Sequence, residues 1–411
     1  MNFKDFLTTN TLLRSLPVDF HRYFEYLPTL LLGFVVSLLL TPVIGSIARR
    51  FNILNDTEEG KMNKLNKYEN SKRRINPNQV PLLGGLAVML PLLILIIVVF
   101  GLNSSTLPLI ISLSILTIIG VLDDYYNLPA TVQFSFQFIA SLIVAASLVD
   151  LTIVKIPFDG TIDLEWTRLF FENKLFPISL VLPGDLFLIL WFMIAINAVK
   201  WMGGVDALME SNLALAFLMI FVIATRSEQV FLVVISMYLV GALSGFTFYN
   251  FPPAKIFTGS SGKSVYGFLV ATLAVINGTK VAVTLMIIML PLADFLFVLS
   301  KRASVRRPNS IKSFMTLPIQ LMRMADTNHL HHKLLHIGLS VKQVLMVEVS
   351  IALVVGIIAV LSTAAYRLVI IMSLFLAILL FILAIHVLAN NRLKQKEKEI
   401  EKESPESKYS Y

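Results

Sequence analysis

LMESNLALAFLMIFVIATRSEQVFLVVISMYLVGALSGFTF, residues 208–248, is the stretch that decides the fold class. It contains two apolar runs, 208–224 and 228–248, each close to the ~20 residues that an α-helix needs to cross the hydrocarbon core of a bilayer. The short joint 225–227 separates them. The pattern predicts two consecutive transmembrane helices joined by a tight turn.

Similar runs recur along the whole chain. Of its 411 residues, 56% are hydrophobic and only 15% are charged, whereas about 25% are charged in a typical soluble domain. We therefore predict an all-α polytopic membrane protein with about eleven transmembrane helices. The predicted spans are 27–47, 81–101, 105–122, 131–149, 185–199, 208–224, 228–248, 265–277, 279–298, 342–363 and 367–389.

Lysine and arginine concentrate in three segments, 48–80, 299–341 and the tail after residue 390. With eleven spans these segments share one side of the membrane, and the positive-inside rule makes that side the cytoplasm. The N-terminus is then outside and the C-terminus cytoplasmic. The net charge of +8 is explained by topology and anionic lipid contacts, so it does not indicate a nucleic-acid partner. The chain has no cysteine, which excludes disulfides.

The domain organisation follows from the same pattern. We expect an external N-terminal segment at 1–26, a transmembrane domain at 27–390 and a charged cytoplasmic tail at 391–411. The outside segment between the fourth and fifth spans contains an alternating apolar and polar pattern near 151–164, which predicts a small external β-hairpin.

Polar residues that could carry chemistry lie at the predicted cytoplasmic ends of the spans. Within the spans the main ionisable residues are Glu348 and Asp294, whereas an ion-coupled carrier usually needs acids near the midplane. The first polar place is PLLGG at 81–85, whose glycines allow close approach of a ligand or of another helix. Tight helix packing is the favoured interpretation of that motif alone.

The second place is Asp123-Asp124, at the end of the third predicted span. Adjacent carboxylates suit the binding of a hard cation or the activation of a phosphate nucleophile. Two interfacial acids that simply end a helix are an equally good interpretation.

The third place consists of two segments, 197–208 (NAVKWMGGVDAL) and 250–267 (NFPPAKIFTGSSGKSVYG). The first contains Asn197 and Asp206. The second leads through a glycine- and serine-rich turn into a helix, and such a turn can present backbone N–H groups and Lys263 to a phosphate.

The fourth place contains three of the chain's six histidines, His329, His331 and His332. Metal binding is one interpretation. Binding of a phosphate or nucleotide together with Arg323 is another, and a chance cluster in a solvated loop is the least favoured.

In this order the motifs resemble those of the polyprenyl-phosphate N-acetylhexosamine-1-phosphate transferases, a glycosyltransferase 4 type family that includes phospho-N-acetylmuramoyl-pentapeptide transferase and undecaprenyl-phosphate GlcNAc-1-phosphate transferase. The resemblance covers roughly residues 27–390. The segments that carry it are GVLDDYYNLPATVQFSFQ at 120–137, NFPPAKIF at 250–257, PLADF at 291–295 and ADTNHLHHKLLHIGLS at 325–340.

The resemblance implies transfer of a HexNAc-1-phosphate from a UDP-sugar to a polyprenyl phosphate, with release of UMP, as the first step of a lipid-linked cell-envelope glycan. It implies Mg²⁺ as cofactor, a bacterial plasma-membrane location, and UDP-N-acetylhexosamine, polyprenyl phosphate, the bilayer and a second copy of the chain as partners. Asp123 and Asp124 would be catalytic, and with Asp206 they would bind the metal. The implied substrate-binding residues are Asn197, Lys200, Asp206, Asn250, Lys255, Lys263, His329, His331 and His332.

The sequence departs from the family pattern where charge should be densest. Gly203 and Ser260 stand where the family has aspartates, of which the second binds magnesium, and Gln133 stands where it has a lysine. Lys200 and Lys263 are lysines that the family pattern lacks.

Two hypotheses follow from these departures. The chain is a divergent transferase whose added lysines carry diphosphate charge that Mg²⁺ would neutralise, or it is a non-catalytic relative that binds polyprenyl phosphate or a nucleotide. A transporter is the remote third alternative.

Overall fold

The computed structural model of the chain describes residues 22–55, 79–156, 160–171, 175–276, 286, 288–305, 328–362 and 366–403. Helices dominate these residues. Their bounds are α1 Leu27–Arg50, α2 Leu86–Phe100, α3 Leu107–Tyr126, α4 Ala130–Leu148, α5 Gly184–Met202, α6 Leu208–Arg226, α7 Val230–Asn250, α8 Ser260–Ile276, α9 Met289–Val305, α10 Leu330–His336, α11 Val341–Leu361 and α12 Arg367–Glu403.

Within the described residues, eight helices are long and apolar enough to cross a membrane: α1, α3, α4, α5, α6, α7, α11 and α12. This confirms the predicted class of polytopic helical membrane protein. The number eleven stays a prediction, because α2 and α8 have only 15 and 17 residues. Residues 277–285, which begin the predicted ninth span, lie outside the described part of the chain.

Helix α8 lies at the centre of the fold. Nearly all of its side chains are buried, and it packs mainly against α3 and α5. Helices α1 and α12 instead expose rows of large apolar side chains, such as Leu39 and Leu380, as expected for surfaces that contact lipid. Helices α1 and α7 approach closely at Gly241, because glycine has no side chain. A Cβ atom there would lie 2.0 Å from the carbonyl oxygen of Leu30.

The predicted hairpin near 151–164 is confirmed as a strand pair, since β1 Ile153–Ile156 pairs antiparallel with β2 Gly160–Asp163. Its location outside the membrane stays a prediction. A second hairpin, of β3 Glu165–Phe171 and β4 Ile178–Pro183, was not predicted. Strand β3 (EWTRLFF) exposes side chains on both faces. Its sequence does not show the apolar and polar alternation of a half-buried strand, and this is why it was not predicted.

The predicted domain boundaries have no counterpart at the C-terminal end. Helix α12 continues through residue 390 without a break and ends at Glu403. Residues 1–21 lie outside the described part of the chain. The division into an N-terminal segment, a transmembrane domain and a tail therefore stays a prediction.

Candidate functional site

The beginning of α8 is held by Asp124 from the end of α3. One carboxylate oxygen of Asp124 accepts a hydrogen bond from the Ser260 N–H at 2.6 Å, and the other accepts from the Ser261 N–H at 3.2 Å. The first N–H groups of a helix have no partner within it, and the helix dipole favours an anion there. Gly259 precedes them with φ +72°, and a Cβ atom on it would lie 2.3 Å from Asp124 Oδ2. Only glycine fits at this position.

Asp123 is joined to Lys200 through Gln133. The Gln133 side-chain N–H donates to Asp123 Oδ1 at 2.7 Å, and Lys200 Nζ donates to the Gln133 side-chain oxygen at 2.5 Å. One turn further into the helices, the Asn197 side-chain N–H donates to the Gln137 side-chain oxygen at 3.2 Å. Two side-chain hydrogen bonds, Lys200 to Gln133 and Asn197 to Gln137, therefore join α4 to α5 beside the aspartate pair.

Two connectors lie beside this pair: the first connector, residues 203–207, precedes α6, and the second connector, residues 250–259, follows α7. Asp206 Oδ2 accepts from the Ala254 N–H at 2.9 Å. Asn250 accepts from the Ala207 N–H at 2.7 Å and donates to the Ile256 carbonyl at 2.8 Å. Asp206 and Asn250 thus fix the connectors to each other.

The PLLGG segment supports the second connector from the other side. The Gly84 and Gly85 N–H groups donate to the Phe257 and Thr258 carbonyls at 3.0 Å and 2.8 Å. A Cβ atom on Gly85 would lie 2.3 Å from the Cα atom of Gly262. The glycines therefore allow tight backbone packing, which was the favoured interpretation of this motif.

The histidine segment is positioned by Asp294 of α9. Asp294 accepts from the Leu330 N–H at 2.9 Å, and its other oxygen lies 2.8 Å from His329 Nδ1. The His329 and His331 rings stack with centroids 5.7 Å apart. A Cβ atom on Gly204 would lie 2.4 Å from His331 Nε2, so His331 reaches the first connector.

His331 is only 3% exposed. Burial lowers the pKa of its imidazole well below the usual value, and the neighbouring His332 and His329 lower it further. The ring is therefore neutral at neutral pH. It can contribute a hydrogen bond at the site but no charge.

A cavity of about 180 Å³ lies between the two connectors. Three ionisable side chains line it: Asp206, Glu210 and Lys263. Glu210 accepts a hydrogen bond from the Thr258 hydroxyl. Burial raises the pKa of Asp206, and the hydrogen bond from the Ala254 N–H partly opposes this shift. The remaining lining residues are Asn55, Leu82, Gly203, Gly204, Val205, Asn250, Phe257 and Thr258.

The sequence interpretation missed Glu210 and Trp201. Glu210 lies in the first turn of α6, inside a predicted span, and an ionisable residue there could have indicated a functional site. Trp201 lies between the buried Arg302, whose guanidinium carbon is 4.4 Å from the indole centroid, and His329, whose ring centroid is 5.0 Å away. Nothing in the local sequence indicates this stack, because its members come from three distant segments.

The predicted site residues are brought together with one exception. Asp124 contacts Ser260, Lys263 contacts Gly203 and His331 contacts Gly204, so the acid pair, the connectors and the histidines meet near the start of α8. Lys255 is exposed and does not line the cavity. The roles of these residues stay predictions.

The described side chains do not form a preassembled Mg²⁺ site. Among the described residues, no group of three or more His, Asp or Glu side chains could hold a metal ion. Both oxygens of Asp124 accept from backbone N–H groups, and Asp123 accepts from Gln133. Mg²⁺ needs near-octahedral coordination by oxygen atoms that include carboxylates, and Ser260 offers none.

Comparison with known proteins supports the interpretation of the motifs. A family model described as glycosyl transferase family 4 matches residues 106–278. This region contains the aspartate pair, both connectors and the start of α8. The histidine segment lies beyond it.

Curated relatives extend the match over most of the chain. A "probable undecaprenyl-phosphate N-acetylglucosaminyl 1-phosphate transferase" of Bacillus subtilis is 25% identical over 350 residues, which cover 83% of this chain and 87% of the relative. A phospho-N-acetylmuramoyl-pentapeptide-transferase of the same organism is 26% identical and covers 74% of this chain and 88% of the relative. A transferase of that name from Carboxydothermus hydrogenoformans is 29% identical over 52% of this chain and 66% of the relative.

Proposed function

We propose that this chain is a divergent transferase that moves a HexNAc-1-phosphate from a UDP-sugar to a membrane polyprenyl phosphate. The observation that carries the proposal is the meeting of the acid pair, both connectors and the histidine segment at the start of α8. The names of the curated relatives supply the reaction class. Eight candidate membrane spans suit a lipid acceptor.

In the proposed reaction, an oxygen of the lipid phosphate attacks the β-phosphorus of the UDP-sugar. A bond forms between that oxygen and the β-phosphorus, and the bond from the β-phosphorus to the bridging oxygen breaks. UMP leaves with that oxygen, and the sugar-1-phosphate becomes part of a lipid diphosphate. Catalysis of such a transfer depends mainly on positioning and on stabilising charge on the phosphoryl oxygens.

Asp123 is the better placed of the two acids to act on the lipid phosphate. Asp124 uses both carboxylate oxygens to hold α8, whereas Asp123 is tied through Oδ1 alone among the described residues. Asp123 also lies at the end of the predicted span α3, beside the exposed Tyr125 and Tyr126. Its second oxygen can orient the lipid phosphate or accept its proton.

The test is product formation by the purified full chain in lipid nanodiscs, with radiolabelled UDP-N-acetylhexosamines, polyprenyl phosphate and Mg²⁺. We expect UMP and a labelled lipid diphosphate, and a loss of at least about 100-fold in kcat with Asp123→Asn. Asp163→Asn, in the external hairpin, is the matched control and should leave kcat unchanged. Absence of both products with every UDP-N-acetylhexosamine would contradict the proposal.

A non-catalytic role as a binder of polyprenyl phosphate or nucleotide is the second candidate. It is favoured by the engagement of both oxygens of Asp124 and by the poor fit of the site to Mg²⁺. Saturable binding of UDP-sugar or polyprenyl phosphate, without UMP release under any metal condition, would support it over the transferase.

We further propose that the site faces the cytoplasm, with the N-terminus outside. Because the chain has no cysteine, single-cysteine variants report topology without background. A membrane-impermeant maleimide added to intact cells should label Thr161→Cys in β2 and should not label Lys394→Cys at the end of α12. The reverse labelling pattern would overturn this orientation.

A further inference from the structure

Lys263 fills the space that a side chain at position 203 would occupy. Its ammonium nitrogen lies 3.4 Å from the Gly203 carbonyl oxygen. A Cβ atom on Gly203 would lie 2.7 Å from Lys263 Cε and 2.8 Å from Nζ. The lysine in α8 and the glycine in the first connector are therefore sterically complementary. Together they present an ammonium, and no carboxylate, at the wall of the cavity.

Glu210 and Asp124 lie within electrostatic range of this ammonium but beyond salt-bridge distance. Among the described residues Lys263 forms no salt bridge. Asp206 accepts from a backbone N–H, and Glu210 accepts from the Thr258 hydroxyl. A lysine ammonium has three N–H donors, and the contact with Gly203 uses one of them. The others can donate to an anionic ligand in the cavity.

Lys200 supplies a second positive charge near the first. Its ammonium is held by the neutral Gln133 amide, which in turn donates to Asp123. Lys200 lies within electrostatic range of Lys263 and of both acids of the pair. Asp123 offsets part of the repulsion between the two ammonium groups. An anion with two charged groups would offset more of it by contacting both.

We propose that Lys263 and Lys200 bind the two phosphates of the nucleotide sugar, so that the donor binds without a divalent cation. This inference rests on the proposed function, because its ligand is the donor of that reaction. The lysines occupy the part of the site where the donor set fails to fit Mg²⁺. A larger side chain at position 203 would displace the Lys263 ammonium from its present place.

The test is calorimetric binding of UDP-N-acetylglucosamine to the full chain in nanodiscs, with EDTA or with Mg²⁺. We expect Kd values that agree within about threefold, because the ligand charge meets lysines in both conditions. In EDTA, Lys263→Ser should raise Kd by about tenfold or more, whereas Lys263→Arg should stay within about threefold. UMP, which lacks the second phosphate, should bind less tightly than UDP.

Lys394→Ser is the matched control, since it removes an exposed lysine near the end of α12 and should leave Kd unchanged. Loss of wild-type binding in EDTA, with binding restored by Mg²⁺, would overturn the inference. Unchanged affinity of Lys263→Ser would also overturn it. Donor binding in EDTA without UMP release supports the inference and counts against the transferase. UMP release that strictly requires Mg²⁺ supports the transferase and counts against the inference.

Discussion

The two ends of the first connector differ in how they are held. One end maintains the fold of the site, and the other end is where the charge of the site has changed. At residues 206–207 the connector is fixed by short hydrogen bonds to Ala254 and Asn250. At Gly203 its described contact with α8 is a single 3.4 Å hydrogen bond from a lysine. The tightly held end keeps Asp206 and its partner Asn250, which the resemblance places in the family pattern, and the loosely held end lacks the aspartate expected at Gly203. The architecture can thus persist while the charge of the site changes.

The largest effect should come from breaking the tightly held end. Asn250→Ala leaves the buried Ala207 N–H and Ile256 carbonyl without their partner, which should cost about 2–4 kcal/mol of stability. Thermal unfolding in detergent measures this loss. Asn250→Asp keeps the acceptor for Ala207 but places a buried carboxylate oxygen against the Ile256 carbonyl, so it should lose at least as much stability. An Asn250→Ala protein as stable as wild type would show that the connectors are not joined through this residue.

The loosely held end can be rebuilt toward the family pattern. The triple variant Gly203→Asp, Ser260→Asp and Lys263→Ser replaces an ammonium with two carboxylates around Asp124. We expect EDTA to weaken UDP-N-acetylglucosamine binding by about tenfold or more in this variant, but by less than about threefold in wild type. Equal sensitivity of both proteins to EDTA would show that these positions do not set the charge requirement.

The histidine segment should make stability depend on pH. Because the pKa of His331 is lowered in the folded state, the unfolded chain binds the proton more readily. Stability is therefore retained above the unfolded pKa of about 6.5 and is lost as the pH falls toward the folded value. The thermal midpoint should decrease from about pH 7 to about pH 5.5. His331→Gln should flatten this slope, and an unchanged slope in His331→Gln would contradict the prediction.

The smallest effect concerns Ala207, which has a left-handed backbone with φ +61°. Such a conformation costs a non-glycine residue about 1–2 kcal/mol, whereas glycine loses some of that gain through its greater freedom when unfolded. Ala207→Gly should therefore stabilise the protein by about 0.5–1 kcal/mol. The same substitution at Ala198, inside α5, should instead destabilise it by at least about 1 kcal/mol. Destabilisation by Ala207→Gly would contradict the account of this turn.

The helices and the first hairpin could be predicted because each follows from a local pattern. Apolar runs such as 208–224 are long enough to cross the bilayer and so predict helices, and the alternation near 151–164 predicts a pair of strands. The second hairpin could not be predicted, because aromatic side chains on both faces of β3 remove the alternation.

Side-chain contacts between segments far apart in the sequence could not be predicted from sequence patterns. The link between Gln133 and Lys200 spans 67 residues and depends on how α4 packs against α5. The fit of Lys263 to Gly203 likewise depends on how α8 enters the fold. Glu210 was hidden inside an apolar run, and Lys255 lies in a matching motif yet is exposed and does not line the cavity. A motif indicates which segments matter more reliably than which side chains meet.

We expect the lysines of this site, in place of a metal ion, to hold the diphosphate during transfer. The most direct test is the rate of UMP release from UDP-N-acetylhexosamine and polyprenyl phosphate with EDTA, compared with the rate with Mg²⁺. We expect the two rates of UMP release to lie within about threefold of each other. Lys263→Ser should greatly reduce the rate in both conditions. UMP release that disappears with EDTA and returns with Mg²⁺ would contradict this expectation.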